Sequence, residues 1–196
     1  MDPMGQLQQY LRADERLLWY GTPDAGVLFT PEDAFLIPFS ILWCGFAFFW
    51  ESSVIGGNAP FFFRLWGIPF VVIGLYFVVG RFFYKSYRKR RTMYGITTRR
   101  AMIVESRTFA DLPLADQPVA IRRSRDARHA SVTFPDAFLP GPSTRRRYGG
   151  RGYVPGPNTG MDLMFRNVPR PFAFYDIASP DAMLGALEQA RSQQPG

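Results

Sequence analysis

The sequence predicts a membrane α-helical hairpin joined to a small α+β, mainly β, domain that a C-terminal helix caps. Three observations carry that reading. Of the 32 aromatic residues, 17 fall between Phe35 and Tyr84. From Phe35 to Lys85 there are only four charges: Glu51, Arg64, Arg81 and Lys85. Beyond Thr92 the hydrophobic residues come in short alternating runs, the pattern of half-buried strands. The mean hydropathy of −0.09 averages these unlike parts and describes neither. Such segregation excludes one uniform globular domain and a mostly disordered chain.

Residues 1–32 form an amphipathic segment. Leu7, Tyr10, Leu11, Leu17 and Leu18 share one helical stripe, which ends at Trp19-Tyr20 and the breaker Gly21-Thr22-Pro23. A helix of this kind lies on the membrane surface or packs on the C-terminal domain. Pro31-Glu32-Asp33 then places acidic residues where a helix N-terminus favours them.

Residues 33–91 make the hairpin, with spans at about 34–54 and 60–83. Ala34–Trp50 is uncharged, and at ~1.5 Å per residue it approaches the thickness of a bilayer core. Leu65–Gly80 is the second uncharged run, and Gly56-Gly57-Asn58 between them reads as a turn. Pro38 and Pro69 stand near the starts of their runs, where a missing N–H costs little. Gly67 and Gly74, seven apart, share a face that lets the other helix approach. Cys44 is the single cysteine, so an intramolecular disulfide is excluded, and among apolar neighbours it acts as a small hydrophobe. Arg64 lies about one turn inside the second run, within snorkelling reach of the outer interface.

The loop Glu51–Phe63 carries no Lys or Arg, whereas Arg81, Lys85, Arg88, Lys89, Arg90 and Arg91 follow the second span. The positive-inside rule therefore predicts a two-span cell-membrane protein with both termini cytoplasmic. The formal charge of +7 marks where the chain returns more than it marks nucleic acid.

Residues 92–196 form the cytoplasmic domain. Thr92–Thr97, Ala101–Glu105, Arg107–Leu112, Pro118–Arg123, Ala130–Phe134, Met161–Phe165 and Pro171–Ile177 are strand candidates. The Gly/Pro/Arg-rich stretch 139–160 has no hydrophobic period and reads as a long loop. Ser179 suits an N-cap, Pro180 the first helical position and Asp181 the dipole. Met183, Leu184, Leu187 and Ala190 make the apolar face of that helix. Short antiparallel strands closed by a helix suggest a small barrel or sandwich with a helical plug.

The segment Leu17-Leu18-Trp19-Tyr20-Gly21-Thr22-Pro23, the hairpin, the basic stretch ending in Tyr94-Gly95-Ile96-Thr97-Thr98-Arg99-Arg100 and the closing Phe174-Tyr175-Asp176-Ile177 resemble a known pattern. It is similar to that of bacterial integral membrane proteins with a two-helix hairpin and a pleckstrin-homology-like (PH-like) domain. Tyr94, Thr97 and Arg100 match the Tyr-x-x-Thr-x-x-Arg spacing of that family. The chain departs from it at Ala127–Val132, where a Gly-rich hairpin is usual, and in the long loop. The resemblance implies a PH-like fold at the membrane and no reaction.

Chemistry is sparse. His129 is the only histidine and reads as a solvated side chain. No triad, metal cluster or phosphate-cradling Gly motif is present in the sequence, so no catalytic residue, cofactor or metal is expected. The basic features are Arg81–Arg100, interleaved with aromatics as at a headgroup belt, and Arg145–Tyr153, similar to segments that bind single strands by charge and stacking. Arg81, Lys85, Arg88, Lys89, Arg90 and Arg91 are the candidate contacts to anionic lipid.

The sequence therefore predicts a non-catalytic interaction module held at the cytoplasmic membrane face. Its partners are the bilayer, with anionic headgroups, and a membrane protein or further copies of the chain; nucleic acid is not favoured. The alternative is a small membrane enzyme or transporter component, or nucleic-acid binding by the basic loop. A concave basic site at Arg99, Arg100, Arg122 or Arg123 favours lipid, and a bare strand edge favours protein.

Overall fold

The computed structural model describes residues 3–57, 60–106, 108–115, 117–124, 127–139, 158–164 and 170–193. Two antiparallel helices project from two small β-sheets. Helix α1 (Pro3–Gln8) and strand β1 (Leu17–Gly21) precede α2 (Asp33–Gly56). Helix α3 (Phe61–Leu75) returns, widens into a π turn at Tyr76–Gly80 and continues as α4 (Arg81–Lys89). Strands β2 (Thr92–Thr97), β3 (Arg100–Glu105), β4 (Thr108–Pro113), β5 (Ala120–Arg123), β6 (His129–Phe138) and β7 (Pro171–Ala178) follow, and α5 (Pro180–Ser192) closes the described chain.

The helices Asp33–Gly56 and Phe61–Lys89 are long and apolar enough to cross a membrane. Only 17% and 11% of their most apolar windows are buried, so neither is the enclosed core helix of a soluble fold. Their contact face is made by small residues. Gly67 and Gly74 are the two buried residues of α3, and Gly74 rests on Cys44 of α2, as the seven-residue spacing predicts. Pro38 and Pro69 lie deeper in their helices than a first turn, and both helices continue through them.

The first sheet has the order β1-β2-β3-β4 and the second β5-β6-β7, all antiparallel. An isolated bridge from Pro23 to Ile177 ties the chain just after β1 to β7. Neither sheet closes on itself, so the architecture is two linked sheets with a helical plug and not a completed barrel. Ile96, Ile103, Leu114, Val132, Phe134, Phe172, Phe174 and Ile177 fill the space between them, and Met183, Ala186, Leu187 and Ala190 of α5 complete it. The helical face expected for α5 is the one that packs.

Three expectations change. Leu17 and Leu18 do not extend an N-terminal helix but lie in β1, which pairs with β2. An interrupted stripe of ten residues costs more as a marginal helix than as an edge strand with ladder partners. The short α1 that remains packs on the sheet, with Leu7 fully buried against Met102 and Val104. Ser179 takes a left-handed conformation, φ 61°, in place of the extended one an N-cap favours, and makes no side-chain cap. Met161–Leu163 is a 3-10 turn where a strand was expected. The greater part of the predicted loop, 140–157, and Phe165 lie outside the described residues.

Candidate functional site

The richest chemistry lies where α4 meets the β domain. Arg81, Lys85 and Lys89 are spaced four apart and so share one helical face. All three are at most 5% exposed, while Phe83 and Tyr87 on the other side are 73% and 53% exposed. Helix α4 is thus amphipathic in the inverted sense, cations inward and aromatics outward.

Each inward cation has partners, although Arg81 Nη2 is buried without a hydrogen bond. Arg81 forms a buried ion pair with Asp33 at the start of α2, and its Nε donates to the Phe77 carbonyl at 2.8 Å. The other carboxylate oxygen of Asp33 accepts from the Thr30 N–H at 2.6 Å and from its hydroxyl at 3.0 Å. Lys85 Nζ donates to the Leu28 carbonyl at 2.8 Å. Lys89 Nζ donates to the carbonyls of Asp24 at 3.0 Å and Val27 at 2.6 Å, and pairs with Asp176 at 2.6 Å. Residues 24–28 form an irregular strap with no ladder, and these ammonium groups supply the donors that its carbonyls lack. Arg88, a third exposed or less, bridges Glu105 at 2.7 Å and Asp162.

A second joint reinforces the first. The Tyr76 hydroxyl donates to the Gly160 carbonyl across the π turn. Gly160 has φ +82°, and a Cβ there would collide with the Arg81 carbonyl oxygen. Only glycine allows the chain to press against the helix at that point.

Of the six predicted lipid contacts, Arg81, Lys85 and Lys89 are turned inward, Arg88 is engaged by two carboxylates, and Arg90 and Arg91 are exposed, Arg91 over the Tyr87 ring at 4.3 Å. The three motif positions are structural members of the β domain. Tyr94 is buried, stacks on Phe174 at 4.6 Å and accepts from the Tyr175 N–H at 3.2 Å. Burial pushes the Tyr94 phenol well above its ordinary value. Thr97 closes the β2–β3 turn, its hydroxyl accepting from the N–H groups of Arg99 and Arg100 at 3.2 and 3.0 Å. Arg100 gathers Glu15 at 2.8 Å, Asp111 at 2.5 Å and the Tyr10 carbonyl at 2.7 Å, and so fastens the N-terminal segment to the sheet.

His129 is not simply solvated: its Nε2 lies 2.9 Å from Asp24 Oδ2, and the Gly26 N–H donates to the other Asp24 oxygen at 2.7 Å. The Gly26 N–H, followed by His129, holds the Asp24 carboxyl below its usual value. At the far end of the hairpin, the Glu51 carboxylate lies on the bare face of Gly67, three residues after Arg64. Glu51 Oε2 and Arg64 Nε are both buried without a hydrogen-bond partner.

Among the described residues, cavities open on the β domain beside its basic side chains. One, of about 30 Å³ among Lys85, Arg88, Lys89, Glu105 and Asp162, has room for about one water. Another, of about 150 Å³, lies between the strap and the start of β6, with Arg122 and Arg123 on its wall. Arg99 and Arg100 do not reach it: Arg99 pairs with Asp14, and Arg100 is buried against Glu15. Among the described residues no group of three or more His, Cys, Asp or Glu is placed to hold a metal ion.

The residues that sequence reasoning missed are the acceptors: Asp24, Asp33, Asp176 and the strap carbonyls. The four-residue spacing of Arg81, Lys85 and Lys89 was the available signal. The class defined by this geometry is a span-length helical hairpin whose second helix runs on into a two-sheet domain. No protein-family model, curated protein or solved structure matches the chain.

Proposed function

We propose that the chain is a non-catalytic, membrane-anchored interaction module. It holds a PH-like domain, of the bacterial two-helix hairpin type, at the cytoplasmic face of the cell membrane, where the domain binds a protein partner or anionic lipid. The inverted amphipathicity of α4 carries this reading. A helix that buries Arg81, Lys85 and Lys89 and exposes Phe83 and Tyr87 has its faces the wrong way round for water. The same arrangement is favourable where the outer surroundings are the boundary between headgroups and acyl chains, which accommodates aromatic rings. The exposed aromatics of α2 and α3, among them Phe35, Phe49, Phe61 and Trp66, continue that surface.

The ion pairs support a rigid joint between anchor and domain. Lys89–Asp176 and Arg88–Glu105 join α4 to strands of the β domain while Arg81–Asp33 locks α4 to α2, so the domain is held in orientation and not hung on a flexible tether. A fixed orientation presents one chosen face to the bilayer or to a partner, which is what an interaction module requires.

Two measurements test the proposal. Phe83→Trp in the full chain, reconstituted in vesicles with brominated lipids, should be quenched strongly; a water-exposed emission would refute the interfacial placement. Ser192→Cys in a Cys44→Ala background should react with an impermeant maleimide only after the inner face is made accessible. Labelling in intact cells would reverse the orientation.

A further inference from the structure

We infer that the larger cavity is a headgroup site for one anionic phospholipid, taken from the leaflet in which the hairpin is embedded. The inference rests on the anchored-module reading above and names the ligand, the place and the residues. The site is lined on one side by Val27, Phe29 and Pro31, and on the other by Arg122, Arg123 and His129. Its position follows from the chain. Pro31 lies two residues before Asp33, the first residue of α2, so the mouth stands where the first span leaves the domain. A lipid lying along a span that starts at α2 would bring its phosphate near this mouth.

The two walls match the two halves of such a lipid. Phe29 is 67% exposed and lies tilted against Phe82 at 5.4 Å, and Phe35, in the first turn of α2, is 74% exposed. Together they offer an apolar track leading from the cavity along the hairpin. Opposite, Arg122 and Arg123 stand on β5, an edge strand whose four residues are all exposed. Their present partners are weak competitors. Arg122 meets Glu32 at 3.4 Å, and Arg123 meets Asp181 at 2.9 Å, the latter carboxylate 84% exposed. Exposed pairs of this kind contribute about 0–1 kcal/mol and exchange readily for a phosphate that guanidinium groups bind in a bidentate fork. Asp176 on the floor carries little unbalanced charge, because Lys89 and Asn158 hold its Oδ2 at 2.6 Å each.

The cavity, of about 150 Å³, exceeds what one water fills. The exposed Arg90 and Arg91 attract an anionic surface generally, as any basic flank does. Arg122 and Arg123 differ in facing a concavity with an apolar wall, which selects a molecule and not merely a surface.

The test is native mass spectrometry of the full chain released from micelles holding equal phosphatidylglycerol and phosphatidylcholine. The wild-type chain should retain one phosphatidylglycerol with about thirtyfold preference, the scale expected of two juxtamembrane cations at ~1 kcal/mol each. Arg122→Gln with Arg123→Gln should abolish that preference, and Arg122→Lys with Arg123→Lys should keep most of it. Arg90→Gln with Arg91→Gln should leave it intact. Equal retention of the two lipids by the wild type, or an unchanged preference in the double Gln variant, overturns the inference. Displacement of the lipid by inorganic phosphate alone would overturn the lipid as the source of the phosphate group. An unchanged melting temperature shows that the double Gln variant still folds. Loss of selectivity in a chain still resistant to alkaline extraction from membranes removes only this site. Extraction of the wild-type chain removes the anchored-module reading itself.

Discussion

The two ends of the helical hairpin treat charge in opposite ways. At the domain end, Arg81 meets Asp33 on the neighbouring helix, and Thr30 holds the carboxylate in place. At the loop end, Glu51 Oε2 and Arg64 Nε are buried with no hydrogen-bond partner, whereas of the Arg81 and Asp33 polar atoms Arg81 Nη2 alone is left so. Each end carries an acidic and a basic residue, Asp33 with Arg81 and Glu51 with Arg64; what differs is the third element. The strap before α2 and the residues around Gly160 close over the Arg81 pair. A buried charge is stable when its partners are fixed by further structure, and among the described residues that surrounding structure stands at the domain end.

The comparison can be broken most sharply at Asp33. Asp33→Asn leaves Arg81 buried without a counter-charge, and about 3–5 kcal/mol of stability should be lost. Arg81→Met with Asp33→Leu should recover much of it, since an apolar pair of similar volume avoids the desolvation cost. Thermal melting of the detergent-solubilised chain reads both. A variant Asp33→Asn that melts like wild type would show the pair to be idle.

Next in size is Gly160→Ala. It combines a left-handed φ with a collision against the Arg81 carbonyl, so about 2 kcal/mol should be lost. The same substitution at Gly45, which a Cβ would leave without a close neighbour, is the control and should change little.

Arg100→Gln should cost a comparable ~2 kcal/mol by releasing Glu15 into a buried position unpaired. Its distinguishing readout is local: amides of β1 should exchange faster than those of β7, because Arg100 fastens the N-terminal segment specifically.

Smaller still is the acid response. Asp24 has a folded pKa below its unfolded value, so its contribution is fully present above the unfolded value and disappears as pH falls through the folded one. Unfolding monitored from neutral pH down into the acid range should lose part of its pH dependence in Asp24→Asn. A profile identical to wild type would remove Asp24 from the account.

The smallest effect belongs to the loop end. Glu51→Gln should change the melting temperature little, since no partner is lost. A large loss there would mean that Glu51 and Arg64 support each other after all.

Much of the fold was legible along the chain. The uncharged runs marked both long helices, the alternation marked β2, β3 and β7, and Pro180 with the Met183–Ala190 stripe marked α5. These features are local, and each segment carries its own period. Leu17–Gly21 was misread because a five-residue strand has too few residues to show a period of two against a neighbouring helical stripe. The candidate site was half legible. Its donors, Arg81, Lys85, Arg88 and Lys89, stood out as a cluster of charge, but the run was read as facing outward.

By itself the sequence determined that this protein has a charge-poor hairpin with span-length helices, a basic exit from it and a β domain with a helical cap. Composition and periodicity suffice for that, since they record which solvent each segment can tolerate. Only the tertiary structure decided which way the basic exit faces. Asp33 lies 48 residues from Arg81, and Asp176 lies 87 residues from Lys89. No local pattern joins them; the packing of the strap and β7 against α4 does, by burying the cations beside oxygens that hold them.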